Sequence, residues 1–260
     1  APALDTVDPR DPDYRAWCWI FGVPEGLNHY YDRAEYARTA NDPNWKLYHW
    51  KSAEILPPDV IEAARRTLSP RQFRQEYEAS FETAAGRIYE DYSTANTCTE
   101  TIAPHEQILW AHDFNYTPMS SAVCVRRGQA LYILDEIVLT SAVARQSALE
   151  FVDRYRAHGN KAVIIYGDPA GRAGEKHGQG SNYTEMEIVL RHAGWRVERR
   201  VKPAAPAIRD RQNAVRAKIC TASGERSLYV NPAAAKTAHK GLATVQLKAG
   251  SSFIEEDSPV

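Results

Sequence analysis

Ile108 to Asn115 reads Ile-Leu-Trp-Ala-His-Asp-Phe-Asn, and Ala162 to Pro169 reads Ala-Val-Ile-Ile-Tyr-Gly-Asp-Pro. Both are short apolar runs bounded by turn residues, the pattern of buried strands. Both end on an acid, Asp113 and Asp168. Desolvating an unpaired carboxylate is expensive, so two acids at strand ends suggest a shared metal site.

Outward from the first run the pattern alternates. Strands are predicted over 108–114, 120–126 and 130–139, with Arg127-Gly128-Gln129 as a turn. Such tight succession makes an antiparallel meander. A helix is expected over 141–158, with Val143, Ser147, Phe151 and Tyr155 four apart and Gly159 as its stop. The fourth strand is 162–167. A glycine-rich loop or hairpin over 170–183 carries Arg172, Lys176 and His177. Next come a helix at 184–192, a fifth strand at 195–201, a helix at 207–221, a short strand at 228–230 and a helix at 233–242.

That order predicts an α/β fold: a ribonuclease H-like mixed sheet flanked by helices. In it the fourth strand lies parallel beside the first, so Asp113 and Asp168 sit on adjacent strand ends, about 4.8 Å apart in backbone spacing. Carboxylates that close repel unless a cation lies between them. Hard oxygen ligands suit Mg²⁺ or Mn²⁺. Two such ions, roughly 3.5–4 Å apart, can activate a water and stabilise the leaving oxygen of a phosphodiester. Metal-assisted phosphodiester hydrolysis is therefore the expected chemistry. Asp135 and Glu136 fall two strands from the first, roughly 9–10 Å away, and read as support or surface. His105, His112 and His177 share no metal-ligand spacing, and His112 reads as a packed or solvent-facing neighbour.

Before residue 108 the pattern is weaker. Residues up to Arg15 read as a loop, 16–21 as an apolar strand running into Gly22-Val23-Pro24-Glu25-Gly26, and 46–50 as another strand. Pro57-Pro58-Asp59 opens a helix over 60–67. Ser69 caps the next, with Gln72 as capping-box partner and Phe73, Tyr77 and Phe81 as its apolar stripe. A domain boundary is expected near 84–90.

The 260 residues, 43% hydrophobic, suffice for one large domain or two smaller ones. No apolar run approaches about 18 residues, so no membrane span is expected, and the start lacks the charged and apolar regions of a signal peptide. Cys18, Cys98, Cys124 and Cys220 form no CxxC pair and read as reduced thiols of a cytosolic protein. Net charge is −1, which announces no nucleic-acid binder. Arg191 to Lys218, however, holds nine Lys/Arg against Glu198 and Asp210. That stretch is either a solvated helix face with an edge strand or a phosphate-facing patch. No G-x-x-x-x-G-K-[ST] loop, G-x-S-x-G elbow or Cys/His pair is present.

Several stretches carry a resemblance. Phe21-Gly22-Val23-Pro24-Glu25-Gly26-Leu27-Asn28-His29-Tyr30-Tyr31 is similar to a G-T-P-x-G-x-N-x-(F/Y)-Y coupling motif, with Val23 where Thr is usual. Phe73-Arg74-Gln75-Glu76-Tyr77 is similar to an F-x-x-E-Y segment. His112-Asp113-Phe114 and Tyr166-Gly167-Asp168-Pro169-Ala170-Gly171 are similar to two catalytic strands, and Leu228-Tyr229-Val230-Asn231-Pro232 onward to the segment leading to a third acid. Together they resemble the large terminase subunit of tailed bacteriophages, the motor–nuclease that packages DNA.

The resemblance implies the end of an ATPase domain and linker over 1–86 and a ribonuclease H-like nuclease domain over 87–260. It implies an endonuclease cutting double-stranded DNA with two Mg or Mn ions on Asp113 and Asp168. Arg172, Lys176, Arg196, Arg199, Arg200 and Lys202 are the DNA-binding candidates. The family's third acid sits on a C-terminal helix, typically just past Val260, with Glu256 and Asp257 the nearest substitutes. Portal protein and small terminase subunit are the implied partners, and the host cytoplasm the implied location. Without Walker A and B parts, no ATP hydrolysis is expected of these residues. Alternative readings are another ribonuclease H-like resolvase or transposase, and a non-catalytic DNA-binding or docking module.

Overall fold

A computed structural model describes residues 18–24, 29–82, 86–115, 117–173 and 180–248. The first three helices are α1 (His29–Thr39), α2 (Pro58–Thr67) and α3 (Pro70–Tyr77). The sheet and its helices follow: β1 (Ile108–Asp113), β2 (Met119–Arg127), β3 (Ala130–Leu139), α4 (Ala144–Arg154), β4 (Ala162–Gly167), α5 (Asn182–His192), β5 (Arg196–Arg199), α6 (Ile208–Ile219), β6 (Leu228–Val230) and α7 (Lys236–Thr244).

The six strands make one sheet in the order β5-β4-β1-β2-β3-β6. β1, β2 and β3 form the antiparallel meander, while β4 runs parallel to β1, β5 parallel to β4 and β6 parallel to β3. An antiparallel triplet with parallel strands appended beside its first member is the ribonuclease H-like arrangement.

Strand alternation gives the sheet two unlike faces. On one, Ile108, Trp110, Val123, Ile137, Val163 and Ile165 pack against Phe151 of α4 and Tyr183, Met186 and Leu190 of α5. Trp110 is fully buried, donates from Nε1 to Ser121 Oγ at 2.8 Å and stacks on Phe151 with centroids 4.4 Å apart. Each buried side chain of this kind stabilises the fold by about 1.5–3 kcal/mol. On the other face a second core gathers Ile219, Leu228, Val230 and Ala235, with Leu131, Ile133 and Leu242 packed against it. Helices α6 and α7 thereby cover the β3–β6 side of that face, while Ala111 and Asp113 at the end of β1 stay exposed on it.

Several expectations shift. Residues 18–21 form no strand, residues 16 and 17 lie outside the described residues, and 46–50 form no strand either. A strand needs a partner for its backbone groups; among the described residues neither segment pairs with a strand, and Trp19, Phe21, Tyr48 and Trp50 stay exposed, stacked ring on ring. Helix α3 ends at Tyr77 because Ala79 takes a positive φ of 51°. Phe81 therefore leaves the helical stripe and packs its ring against Tyr30 and Tyr31. Ser69 caps α3 by accepting from Gln72 N–H, but the Gln72 side chain reaches Glu76 rather than closing a box. Helix α4 is shorter than predicted, stopping before Gly159, and α7 is displaced towards the C-terminus. The glycine-rich stretch opens as a 3-10 turn over Pro169–Arg172; Lys176 and His177 lie outside the described residues, as do Glu256 and Asp257.

The four cysteines are free thiols. Among the described residues no helix is long and apolar enough to cross a membrane.

Candidate metal centre and the groove around it

The last paired rung between β1 and β4 is His112↔Gly167. One residue further along each parallel strand stand Asp113 and Asp168, so register alone sets the two carboxylates side by side. Asp113 is exposed on the open face. Desolvation by its surroundings, and then the charge of Asp168, hold its carboxyl above the usual carboxylate range. A cation held between the two carboxylates would offset both effects.

Local hydrogen bonds aim both acids. Asp113 Oδ2 accepts from Asn115 Nδ2 at 2.9 Å. Asp168 Oδ1 accepts from the Ala170 N–H at 2.7 Å and caps the turn that follows. The Asp168 carbonyl accepts from the Tyr183 hydroxyl at 2.9 Å, tying this loop to α5. Gly167 is required by space: a Cβ there would lie 2.5 Å from the His112 carbonyl oxygen and from the Tyr183 hydroxyl. Behind Asp113, His112 is buried on the helical face, bonded to Ser147 Oγ at 3.0 Å and stacked on Phe114. Burial pushes its pKa down to about 4. Of the two roles its position in the sequence left open, packed or solvent-facing, it takes the packed one.

In front of Asp113 the sheet forms the floor of an open groove of about 340 Å³. Ala111, Ser120 and Ala122 make the floor, and Glu136, Val138 and Thr237 rise beyond them. Glu136 accepts the N–H groups of Thr237 at 2.8 Å and Ala238 at 3.0 Å. Asp135, one residue earlier, points the opposite way and receives Arg154 and the Tyr155 hydroxyl. Support roles for both acids agree with their position two strands from β1. That Glu136 also borders the groove was not legible, because its partners lie 101 and 102 residues away. Among the described residues no three His, Cys, Asp or Glu side chains group closely enough to hold an ion.

The same alternation sorts the basic candidates. The register Leu109↔Ile164↔Glu198 puts Glu198, and by alternation Arg196 and Arg200, on the face of Asp113. Arg200 pairs there with Glu198 and bonds Tyr166. Arg199 lies on the helical face, ion-paired with Glu187 at 3.2 Å and set over the Tyr183 ring. Lys202 is exposed beyond β5, and Arg172 closes the turn that Asp168 begins.

A mixed sheet of this order is a ribonuclease H-like fold, here with an acid at the end of each of two neighbouring parallel strands. Within that class the chain is similar to large terminase subunits. A 76-residue stretch is 36% identical to the large terminase subunit of Escherichia phage T5, covering 28% of this chain and 17% of that protein. The whole chain superposes on the large terminase of a thermophilic bacteriophage in its complex with ATP-gamma-S, with a TM-score of 0.61 at 16% identity. A second structure of the same phage protein gives 0.59 over 93% of this chain. The chain spans 58–61% of that thermophilic phage protein, and the likeness is one of fold. No family model matches.

Proposed function

We propose that this chain is the nuclease region of a large terminase, with residues 1–86 ending the ATPase domain and 87–260 forming an endonuclease that cuts double-stranded DNA during viral genome packaging. The observation that carries this reading is the register of β1 on β4, which makes Asp113 and Asp168 neighbours on an open face. The likeness to the two phage terminases supports it.

The donor set fits a hard divalent cation: two carboxylates, one of them already raised in pKa by burial and by the other's charge. Mg²⁺ or Mn²⁺ held by Asp113 and Asp168 would supply a Lewis acid and an activated water at the scissile phosphate. The chain's own residues do the rest. Asn115 and the Ala170 N–H orient the carboxylates, the floor of Ala111, Ser120 and Ala122 lets a DNA strand approach closely, and Arg196 and Arg200 offer charge to phosphates. A third acid from the C-terminal segment would complete the ligand set, and portal protein, small subunit and host cytoplasm complete the packaging role.

Mn²⁺ titration followed by electron paramagnetic resonance tests this. The chain should bind Mn²⁺, and Asp113→Asn and Asp168→Asn should each abolish binding together with Mn²⁺-dependent plasmid nicking. Undiminished binding in both variants would overturn the assignment.

A further inference from the structure

We propose that the outward stripe of α7 is the second wall of the DNA groove, taking backbone phosphates of the strand that reaches Asp113 and Asp168; this rests on the nuclease reading above. The stripe is Lys236, Thr237, Lys240, Gly241 and Thr244, all exposed, with Thr237 at the groove. The opposite side of the helix is committed to the fold: Ala238, Leu242 and Ala243 pack on the second core, and His239 bonds the Tyr92 hydroxyl at 2.8 Å.

Exposed lysines are ordinarily just a solvated face. Three features set these apart. The stripe carries two cations and no acid, whereas the Arg196–Arg200 side also carries Glu198, bound to Arg200. A Cβ at Gly241 would meet nothing within 4 Å, so a backbone can come close there. And α7 is fixed by a long-range cap: its own N-cap, Ala235, offers no side-chain acceptor, and Glu136 of β3 receives the Thr237 and Ala238 N–H groups at the edge of the groove.

That cap serves two ends. It holds α7 at a set distance from Asp113, and it ties up the Glu136 carboxylate in two hydrogen bonds and the helix dipole, lessening its repulsion of a phosphate. Lys236 and Lys240, four residues apart, have Cβ atoms about 5–6 Å apart, a spacing that successive phosphates of one strand can meet. Glu136 is thus a positioning residue, and the lysines are the contacts.

Duplex DNA binding by this chain, measured by fluorescence anisotropy across a salt series, tests the proposal without requiring cleavage. Each phosphate that the protein no longer neutralises lowers the slope of log affinity against log salt by roughly 0.9. Lys236→Ala with Lys240→Ala should weaken binding and lower the slope by about 2. Glu136→Ala should weaken binding, and Glu136→Gln, which keeps one acceptor oxygen, should restore part of it. Arg196→Ala with Arg200→Ala serves as the reference on the opposite wall. If that reference weakens binding while the lysine pair leaves affinity and slope unchanged, the proposal is overturned and the nuclease reading stands. If the wild-type chain shows no salt-dependent duplex binding and no Mn²⁺ binding that depends on Asp113, both fall.

Discussion

The two faces of the central sheet use the same strands for opposite purposes. On the helical face Trp110, Val123, Ile137 and Ile165 are closed under α4 and α5. On the other face their immediate neighbours, Ala111, Ala122, Glu136 and Tyr166, stand along a half-open surface that ends in Asp113. One residue along the chain separates a packed core from the surface that carries the acid pair. Stability and the proposed function are thereby assigned to opposite parities, and substitutions on alternate residues should separate them.

The largest effect should come from the closed face. Trp110→Ala removes a fully buried ring and its bond to Ser121 and should cost about 3–5 kcal/mol in urea unfolding. Ala111→Ser, one residue on and exposed, should stay within about 0.5 kcal/mol. Equal costs at the two positions would mean that parity does not divide the roles. Next is the junction of the faces. Gly167→Ala forces a Cβ against the His112 carbonyl and the Tyr183 hydroxyl, and overpacking of this kind costs roughly 1–3 kcal/mol. Thermal unfolding would show it, and a neutral result would mean that the loop before Asp168 yields easily.

A smaller effect with a change of sign is expected at the acid pair. Asp113→Asn relieves repulsion with Asp168, so in EDTA its melting temperature should equal or slightly exceed wild type. Added Mn²⁺ should raise the wild-type value and leave the variant unmoved. A wild-type melting point indifferent to Mn²⁺ would count against the metal centre.

The smallest effect lies away from both faces. Arg127 forks onto Glu106 at 2.6 and 2.9 Å and holds its carboxyl below the usual range. A depressed acid contributes stability above its unfolded pKa, about 4.3, and loses it as pH falls through the folded value. Glu106→Gln should therefore flatten the acid limb of the stability–pH curve while leaving Mn²⁺ binding alone. An unchanged limb would remove the ion pair from that account.

Much of this protein is legible in local sequence. Alternating apolar runs placed β1 to β4 to within a residue or so, and their succession implied the mixed sheet and hence the pairing of Asp113 with Asp168. Side-chain parity and turn chemistry depend only on near neighbours in the chain, which is why those signals can be read without a structure. The same local signal misled at 18–21 and 46–50, where apolar residues find no strand to pair with among the described residues, and at Phe81, where one positive φ ended the helix early. Long-range packing was needed to turn Arg199 to Glu187 while Arg196 and Arg200 lie on the sheet face that carries the acids, since β5 takes its register from β4. It also made Glu136 the cap of a helix a hundred residues away. Which half of a face is covered depends on where α6 and α7 come to rest, and packing across the molecule sets that, not periodicity within a segment.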